Sequence, residues 1–350
     1  MKVLSVAGTR PNIIQEMLLN RLFRECGIEE VLVHSGQHWD YRMSQTYFEE
    51  FSLPTPNYHL SVSSGRPARQ IGEMMTALEE IIANEQPNVS LLHGDVNSTL
   101  AAAIASARAR VPVAHIEAGL RTPFLYNPEE INRRLTDHIS ELLFPHIREA
   151  YESLLLENFS PANIFLVGDI VNDTLQHVIQ RFKIVPQTGD YLVATVHREE
   201  NTRSPERLRQ IVTALAEAGE RVVFPVHPNT RNKLKQYNLI EELAGTPVEL
   251  VEPMKYREFI ELLAGSRLVV TDSGGARREA YILGKPVVVA VELNWVPSMV
   301  ECGWSVIAGT DREAILEGIR NLRPPAYRPD LFGDGHAAEK IVEVLQKRLG

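Results

Sequence analysis

Residues 88–95 read Asn88-Val89-Ser90-Leu91-Leu92-His93-Gly94-Asp95, and residues 111–119 read Val111-Pro112-Val113-Ala114-His115-Ile116-Glu117-Ala118-Gly119. Each is a short apolar run that ends in polar groups and a glycine, the pattern of a buried strand entering a turn. The stretch between them is rich in alanine and reads as a helix. A strand, a helix and a strand make two parallel strands joined by a right-handed crossover. Asp95 and Glu117 then leave the same edge of one sheet. Neighbouring strands lie about 4.8 Å apart, so the two carboxylates can face one small cavity. Glu129-Glu130 and Arg133-Arg134 follow within the same excursion. Carboxylates beside arginines at the carboxyl edge of a parallel sheet point to proton transfer near an anionic ligand.

The same alternation extends outward in both directions. Residues 3–7, 30–34, 142–145 and 164–167 read as strands, and 12–26, 67–84, 130–141 and 147–157 as helices. In 67–84, Ile71, Met74, Met75, Leu78 and Ile81 recur at helical spacing. Residues 183–190, Lys183-Ile184-Val185-Pro186-Gln187-Thr188-Gly189-Asp190, interrupt the pattern and read as a domain boundary. A second alternating set follows, with strands at 191–196, 221–226, 248–250, 268–271 and 286–290. Helices are expected at 204–218, 255–264 and 276–283, and a last one from about 336 to 348. The expected fold class is α/β, two Rossmann-like domains with a deep cleft between them. The expected limits are 1–182 for the domain carrying the carboxylates and 183–335 for the second domain, with 336–350 as a closing helix.

Composition narrows the function classes. At 350 residues, two domains are expected, and 44% hydrophobic residues suffice for two cores. The net charge of −9 argues against a general nucleic-acid or membrane-surface binder. Two cysteines, Cys26 and Cys302, form neither a disulfide framework nor a metal-ligand spacing. The amino terminus reads as a strand followed by Gly8 rather than a signal peptide, and no apolar run reaches the roughly 20 residues of a membrane helix. A cytoplasmic location is expected.

Several turns carry chemistry. Gly8-Thr9-Arg10-Pro11 ends the first strand, and Arg10 is either an anion or base contact or part of a helix entry with Pro11 near its start. Gly36-Gln37-His38 ends the second strand. Asp272-Ser273-Gly274-Gly275 links a strand to a helix, where backbone N–H groups bind phosphate and glycines let it approach. Ser273 caps the helix or donates to phosphate, and Glu279 stands where a carboxylate takes ribose hydroxyls. His197 and His227 end the first two strands of the second set. No Gly-X-Gly-X-X-Gly follows either first strand and no Gly-Lys-Ser/Thr occurs, which disfavours a dinucleotide cofactor or a P-loop ATPase.

Taken in order, these turns, with His93-Gly94-Asp95, His115-Ile116-Glu117-Ala118-Gly119-Leu120-Arg121, Pro128-Glu129-Glu130-Ile131-Asn132-Arg133, Val196-His197-Arg198-Glu199, Pro225-Val226-His227 and Gly333-Asp334-Gly335-His336, resemble the non-hydrolysing UDP-N-acetylglucosamine 2-epimerases. The likeness covers nearly the whole chain. It implies a glycosyltransferase-B-like fold in which the 183–335 domain binds UDP and the 336–350 helix packs back on the first domain, interconversion of UDP-GlcNAc and UDP-ManNAc without cofactor or metal, a homodimer, and a place in cell-surface polysaccharide biosynthesis. By resemblance Asp95, Glu117 and Glu129 are the catalytic carboxylates, with Arg133 and His197 assisting at the diphosphate and leaving group. Ser273, Gly274 and Gly275 hold the phosphates and Glu279 the ribose. Arg10 and Phe259 lie near the uracil, His227 binds substrate, and Gln37 and His38 mark an allosteric site.

The chain departs from the family pattern at Asn12 and Gln15, where glutamate and lysine are usual. It also departs at Leu293-Asn294-Trp295-Val296-Pro297-Ser298, where an arginine is usual. These departures admit a modified UDP-HexNAc, such as a diacetamido uronic acid derivative. A glycosyltransferase of the same architecture, a UDP-sugar-binding regulator without turnover and a hydrolysing variant stay open at this stage.

Overall fold

The computed structural model describes residues 1–8, 10–36, 54–60, 62 and 65–350, apart from the side chains of Arg10, Pro11 and Ile14. The chain divides into two units, Met1–Gln176 with Leu331–Gly350, and His177–Asp330.

In the first unit the elements run β1 (Lys2–Ala7), α1 (Arg10–Glu25), β2 (Glu29–His34), β3 (Tyr58–His59), α2 (Pro67–Glu85), β4 (Val89–His93), α3 (Asn97–Arg108), β5 (Val113–Ile116), α4 (Pro128–Ile139), β6 (Leu142–Phe144), α5 (Arg148–Leu156) and α6 (Ile170–Phe182), the last of which crosses into the second unit. The second unit holds β7 (Tyr191–Thr195), α7 (Glu199–Thr202), α8 (Pro205–Ala216), β8 (Arg221–Pro225), α9 (Pro228–Gln236), α10 (Leu239–Glu242), β9 (Val248–Val251), α11 (Tyr256–Gly265), β10 (Leu268–Thr271), α12 (Gly274–Ile282), β11 (Val287–Val289), α13 (Pro297–Glu301), β12 (Ser305–Ile307) and α14 (Arg312–Asn321). The closing helix, α15 (Ala337–Leu349), belongs to the first unit and packs on α1.

Both sheets are parallel, in the orders β3-β2-β1-β4-β5-β6 and β12-β11-β10-β7-β8-β9. Counted from its own first strand, each sheet follows 3-2-1-4-5-6, the doubly wound order. Strand order reverses between β1 and β4 and again between β7 and β10. A crevice forms at such a point because successive crossovers leave toward opposite faces, and ligands bind there at the carboxyl ends.

Burial on both faces explains the apolar strands. Every residue of β4, from Val89 to His93, is buried. Helix α3 is Ala-rich for the same reason: Ala101, Ala102, Ala103 and Ala105 are buried and let α2 and α4 approach closely. Its Ser106 hydroxyl meets that of Ser90 on β4 at 2.8 Å, which satisfies both buried groups.

One expected strand is replaced by a looser path. Residues 164–167 form an isolated parallel bridge, Leu143 to Ile164, with Phe165 N donating to Leu143 O at 2.9 Å. The chain then leaves the sheet at Gly168, φ +94°, against Gly333, φ +80°. A Cβ on Gly333 would stand 2.9 Å from the Gly168 Cα, so the close approach requires glycine. Asp169 N donates to Phe332 O at 3.0 Å, and Ala338 N donates to the Asp173 carboxylate at 2.7 Å, tying the start of α15 to α6.

Candidate active site

The candidate carboxylates of the first unit lie beside the switch between β1 and β4. β4 and β5 pair with His93 opposite Ile116, so Asp95 and Glu117 follow the carboxyl ends of adjacent strands. Glu117 has φ +65°, a backbone conformation costing a non-glycine residue about 1–3 kcal/mol. Neighbours hold it there: its N–H donates to Phe144 O at 3.1 Å, and Gly119 N donates to the Asp137 carboxylate at 3.1 Å.

Helix α4 begins with Asn127, whose side chain accepts from Glu129 N at 3.0 Å, followed by Pro128. Acidic residues in this first turn suit the helix dipole. Glu129 and Glu130 then diverge. Glu129 is exposed. Glu130 is fully buried and accepts from Arg133 Nη1 at 2.9 Å, Arg134 Nε at 2.6 Å and Thr122 N at 3.0 Å. Those arginines stand three and four residues on, the spacing that puts side chains on one helical face.

Arg133 also donates to Asp95 through Nη2. From there the contacts run in a circuit. Arg134 reaches Glu157 at 2.8 Å, Arg121 grips Glu157 through two bonds and reaches Asp137 at 2.7 Å, and Asp137 meets His115 Nδ1 at 2.7 Å. His115 Nε2 contacts Gly94 O at 2.7 Å, beside Asp95 again. Burial alone would raise the Asp137 carboxyl, but the His115 and Arg121 contacts outweigh it and hold it below its usual value. Bonding to Arg121 likewise lowers Glu157. Asn132 Nδ2 donates to Asp95 O at 2.9 Å, fixing the backbone of that turn.

Behind Glu117 lies a buried polar chain. Gln15 Nε2 donates to Glu117 Oε1 at 2.6 Å. Gln15 Oε1 lies 3.1 Å from His93 Nδ1, and His93 Nε2 lies 2.7 Å from Glu16 Oε2. Burial pushes Glu16 up to about 7 and, with the adjacent Glu16 charge, Glu30 up to about 9. Burial also drives His93 down to about 4.

The second unit has its own constellation at the switch between β7 and β10. Buried Asp272 accepts from His197 N and Arg198 N, each at 3.0 Å, and from Asn201 Nδ2 at 3.0 Å. The His197 side chain is half exposed. The Arg198 guanidinium lies 4.0 Å from the Trp295 ring centroid, a cation–π stack. Ser273 is the N-cap of α12 and accepts from Ala276 N at 3.3 Å. Apart from its chain neighbours and the backbone of its own helix, no described atom lies within 4 Å of where a Gly274 Cβ would stand, so the first turn of the helix has room for a ligand. Glu279 is buried on α12. Phe259 is half-buried on α11, and His227 is exposed and caps α9 by accepting from Asn229 N at 3.3 Å. Arg10 opens α1, but its side chain lies outside the described residues, as do Gln37 and His38.

The structure therefore joins Asp95 to Arg133 and Glu117 to Gln15, and it gathers His197 and Ser273 around Asp272. From sequence, Glu130 stands with Glu129 beside the arginines without a role of its own, and Asp137 and Glu157 are not singled out. The spacing of Glu130 to Arg133 and Arg134 was a usable signal; the other two join only through tertiary contacts.

The family model of UDP-N-acetylglucosamine 2-epimerase matches residues 20–346. The chain belongs to this family. Among full-length epimerase relatives, the UDP-N-acetylglucosamine 2-epimerase homolog of Methanococcus maripaludis is 39% identical, covering 99% of this chain and 99% of its own. The UDP-2,3-diacetamido-2,3-dideoxy-D-glucuronate 2-epimerase of Pseudomonas aeruginosa is also 39% identical, over 99% of this chain and 100% of its own. Among solved structures, the Methanocaldococcus jannaschii UDP-GlcNAc 2-epimerase in complex with UDP-GlcNAc and UDP is similar at a TM-score of 0.92 and 33% identity, covering 99% of this chain and 100% of that one. The expected epimerase family, isomerase class and pair of Rossmann-like domains are borne out. No helix among the described residues of this epimerase is long and apolar enough to cross a membrane.

Proposed function

We propose that the chain inverts C2 of a UDP-N-acetylhexosamine by eliminating and re-adding UDP. The observation that carries this reading is the placement of Asp95 and Glu117 after the paired carboxyl ends of β4 and β5, beside the switch point of the first sheet.

The chemistry calls for such a pair. The C2 hydrogen is not adjacent to a carbonyl, so direct deprotonation is very unfavourable. Breaking the C1–O bond first sends its electrons out with UDP and leaves cationic character at C1, which acidifies C2–H. A carboxylate removes that proton, giving a 2-acetamidoglucal. Protonation of C2 from the opposite face and attack of the UDP oxygen on C1 restore the substrate class with C2 inverted. No electrons are gained or lost overall. Proton transfers on two faces need more than one group, and Asp95, Glu117 and Glu129 supply them.

Arg133 serves this step through Asp95, which it holds. Ser273 and the first-turn N–H groups at Gly274 and Gly275 stabilise the departing diphosphate, His197 assists the leaving group, and Glu279 takes the ribose hydroxyls. Arg10 and Phe259 contact uracil, and His227 lies among the substrate contacts. Gln37 and His38 form the proposed allosteric contact. The protein acts as a cytoplasmic homodimer, producing UDP-ManNAc or a modified counterpart for cell-surface polysaccharide.

The test is deuterium incorporation at C2 in heavy water, with UDP-GlcNAc and UDP-2,3-diacetamido-glucuronate both in the panel. Exchange at C2 with return of intact UDP-sugar is expected. Free UDP would indicate hydrolysis, and no exchange until an acceptor is added would indicate a glycosyltransferase. Tight binding with no exchange on any member would indicate a regulator. Light scattering tests the dimer.

A further inference from the structure

Gln15, His93 and Glu16 are almost fully inaccessible, and they connect Glu117 to the interior of the first unit. Their hydrogen-bonding roles constrain one another. An ionised Glu117 can only accept, so the Gln15 amide must turn its NH2 to it. The Gln15 oxygen then faces His93, so His93 Nδ1 must carry a hydrogen. A neutral imidazole has only one, which leaves Nε2 an acceptor. The Glu16 oxygen 2.7 Å from Nε2 must therefore be a hydroxyl. Every donor in this chain points toward Glu117.

We propose that Gln15 is a positioning residue for Glu117, and that a neutral Nδ1–H His93 and a protonated Glu16 lock the Gln15 amide in the orientation that presents its NH2 to that carboxylate. The catalytic part rests on the epimerase reading above; the hydrogen-bond polarity does not.

The surroundings support each protonation state independently. Burial is the largest influence on His93 and favours its neutral form; Glu117 and Glu30 oppose it, and His115 adds to it. Burial likewise favours the protonated form of Glu16. Glu30 stands beside Glu16 and is itself raised by burial and by the Glu16 charge, so two adjacent carboxyls in a dry site cannot both ionise cheaply. Asn20 Nδ2 donates to Glu30, fixing the far end.

An amide cannot pass a proton along without an unfavourable tautomer, so this chain orients Glu117 rather than feeding it protons. A neutral donor at this position also leaves Glu117 a stronger base than a cation would. The residue that sequence reading singled out as a departure, Gln15, thereby has a defined physical role.

Two measurements test the proposal. In free protein labelled with ¹⁵N-histidine, His93 should show the neutral Nδ1–H signature at about pH 7. Glu16→Gln, which can still donate to Nε2, should preserve that signature, and Glu16→Leu should abolish it. The Nε2–H tautomer or an imidazolium in the unaltered protein would overturn the proposal. In the exchange assay, Gln15→Leu should lower kcat roughly tenfold to a hundredfold with KM changed less than about threefold. Glu16→Leu should lower kcat more than Glu16→Gln does. Unaltered kcat in folded Gln15→Leu would overturn the positioning role even with the tautomer as stated. Absence of exchange from the unaltered protein on every UDP-sugar would instead remove the epimerase reading and its catalytic consequence.

Discussion

Arg133 donates to Asp95 with one Nη and, at 2.9 Å, to Glu130 with the other. One buried guanidinium thus couples a carboxylate at the sheet edge to one inside helix α4. A planar fork with fixed donor directions makes such a bridge; a lysine ammonium does not. Arg133→Lys should therefore lower turnover at least about tenfold, and Arg133→Ala should also destabilise the fold by about 3 kcal/mol because buried Glu130 loses a partner. Steady-state exchange rates and urea unfolding measure the two effects.

Removing a reacting carboxylate should separate activity from stability. Asp95→Asn and Glu117→Gln keep volume and most hydrogen bonds, so the melting temperature should move by only a few degrees while C2 exchange falls about a hundredfold or more. Exchange near the wild-type rate in either variant would remove that residue from the mechanism.

Asp272 organises the turn after β7 by accepting from two backbone N–H groups and Asn201. Asp272→Ala would leave the buried Asn201 amide and two part-buried backbone donors without their acceptor, costing on the order of 1–3 kcal/mol. His197 and Arg198 would lose the carboxylate that holds their backbone, so UDP affinity measured by calorimetry should fall as stability does.

The buried carboxyls predict a pH trend in stability. Glu30 is raised to about 9 and Glu16 to about 7, so between the ordinary carboxylate range and those values the folded state holds more protons than the unfolded one. Stability from this pair is fully present below about pH 4.5 and is lost as pH rises toward 9. His93, lowered to about 4, acts oppositely below its ordinary range. Comparison with Glu30→Gln isolates the carboxyl effect: the variant should gain on the wild type by on the order of 1–3 kcal/mol between about pH 5 and pH 9 in chemical denaturation.

Gly333 has φ +80° and abuts Gly168. Gly333→Ala should cost about 1–3 kcal/mol through backbone strain and the contact, with the exchange rate per folded molecule retained. Thermal melting alongside the exchange assay separates these effects.

Residues 88–119 were legible because parallel strands buried on both faces must be continuous apolar runs, and short polar turns must follow them. The glycines after β10 were legible for equally local reasons, whereas the helix expected from residue 130 starts two residues earlier, at Pro128, behind the Asn127 cap. The path of residues 164–167 was not, because its apolar character is that of a strand while its departure depends on Gly333, far along the chain. Strand β12 was missed because three residues carry little periodic signal, whereas α14 was missed although Asp311 caps it and Ile315, Leu316 and Ile319 are buried at helical spacing.

Local chemistry was thus enough to place Asp95 and Glu117 at strand ends and Ser273 at a helix start, since backbone geometry and burial patterns act over neighbouring residues. Which of two adjacent glutamates would be buried, that Arg133 would bridge Asp95 and Glu130, and that Gln15 would stand between Glu117 and His93 depended on packing. Those groups are separated by as many as 102 positions, between Gln15 and Glu117, and meet only when the sheet and its crossovers exclude water around them. In that dry interior each donor must find an acceptor, and the partners on offer are set by the whole fold.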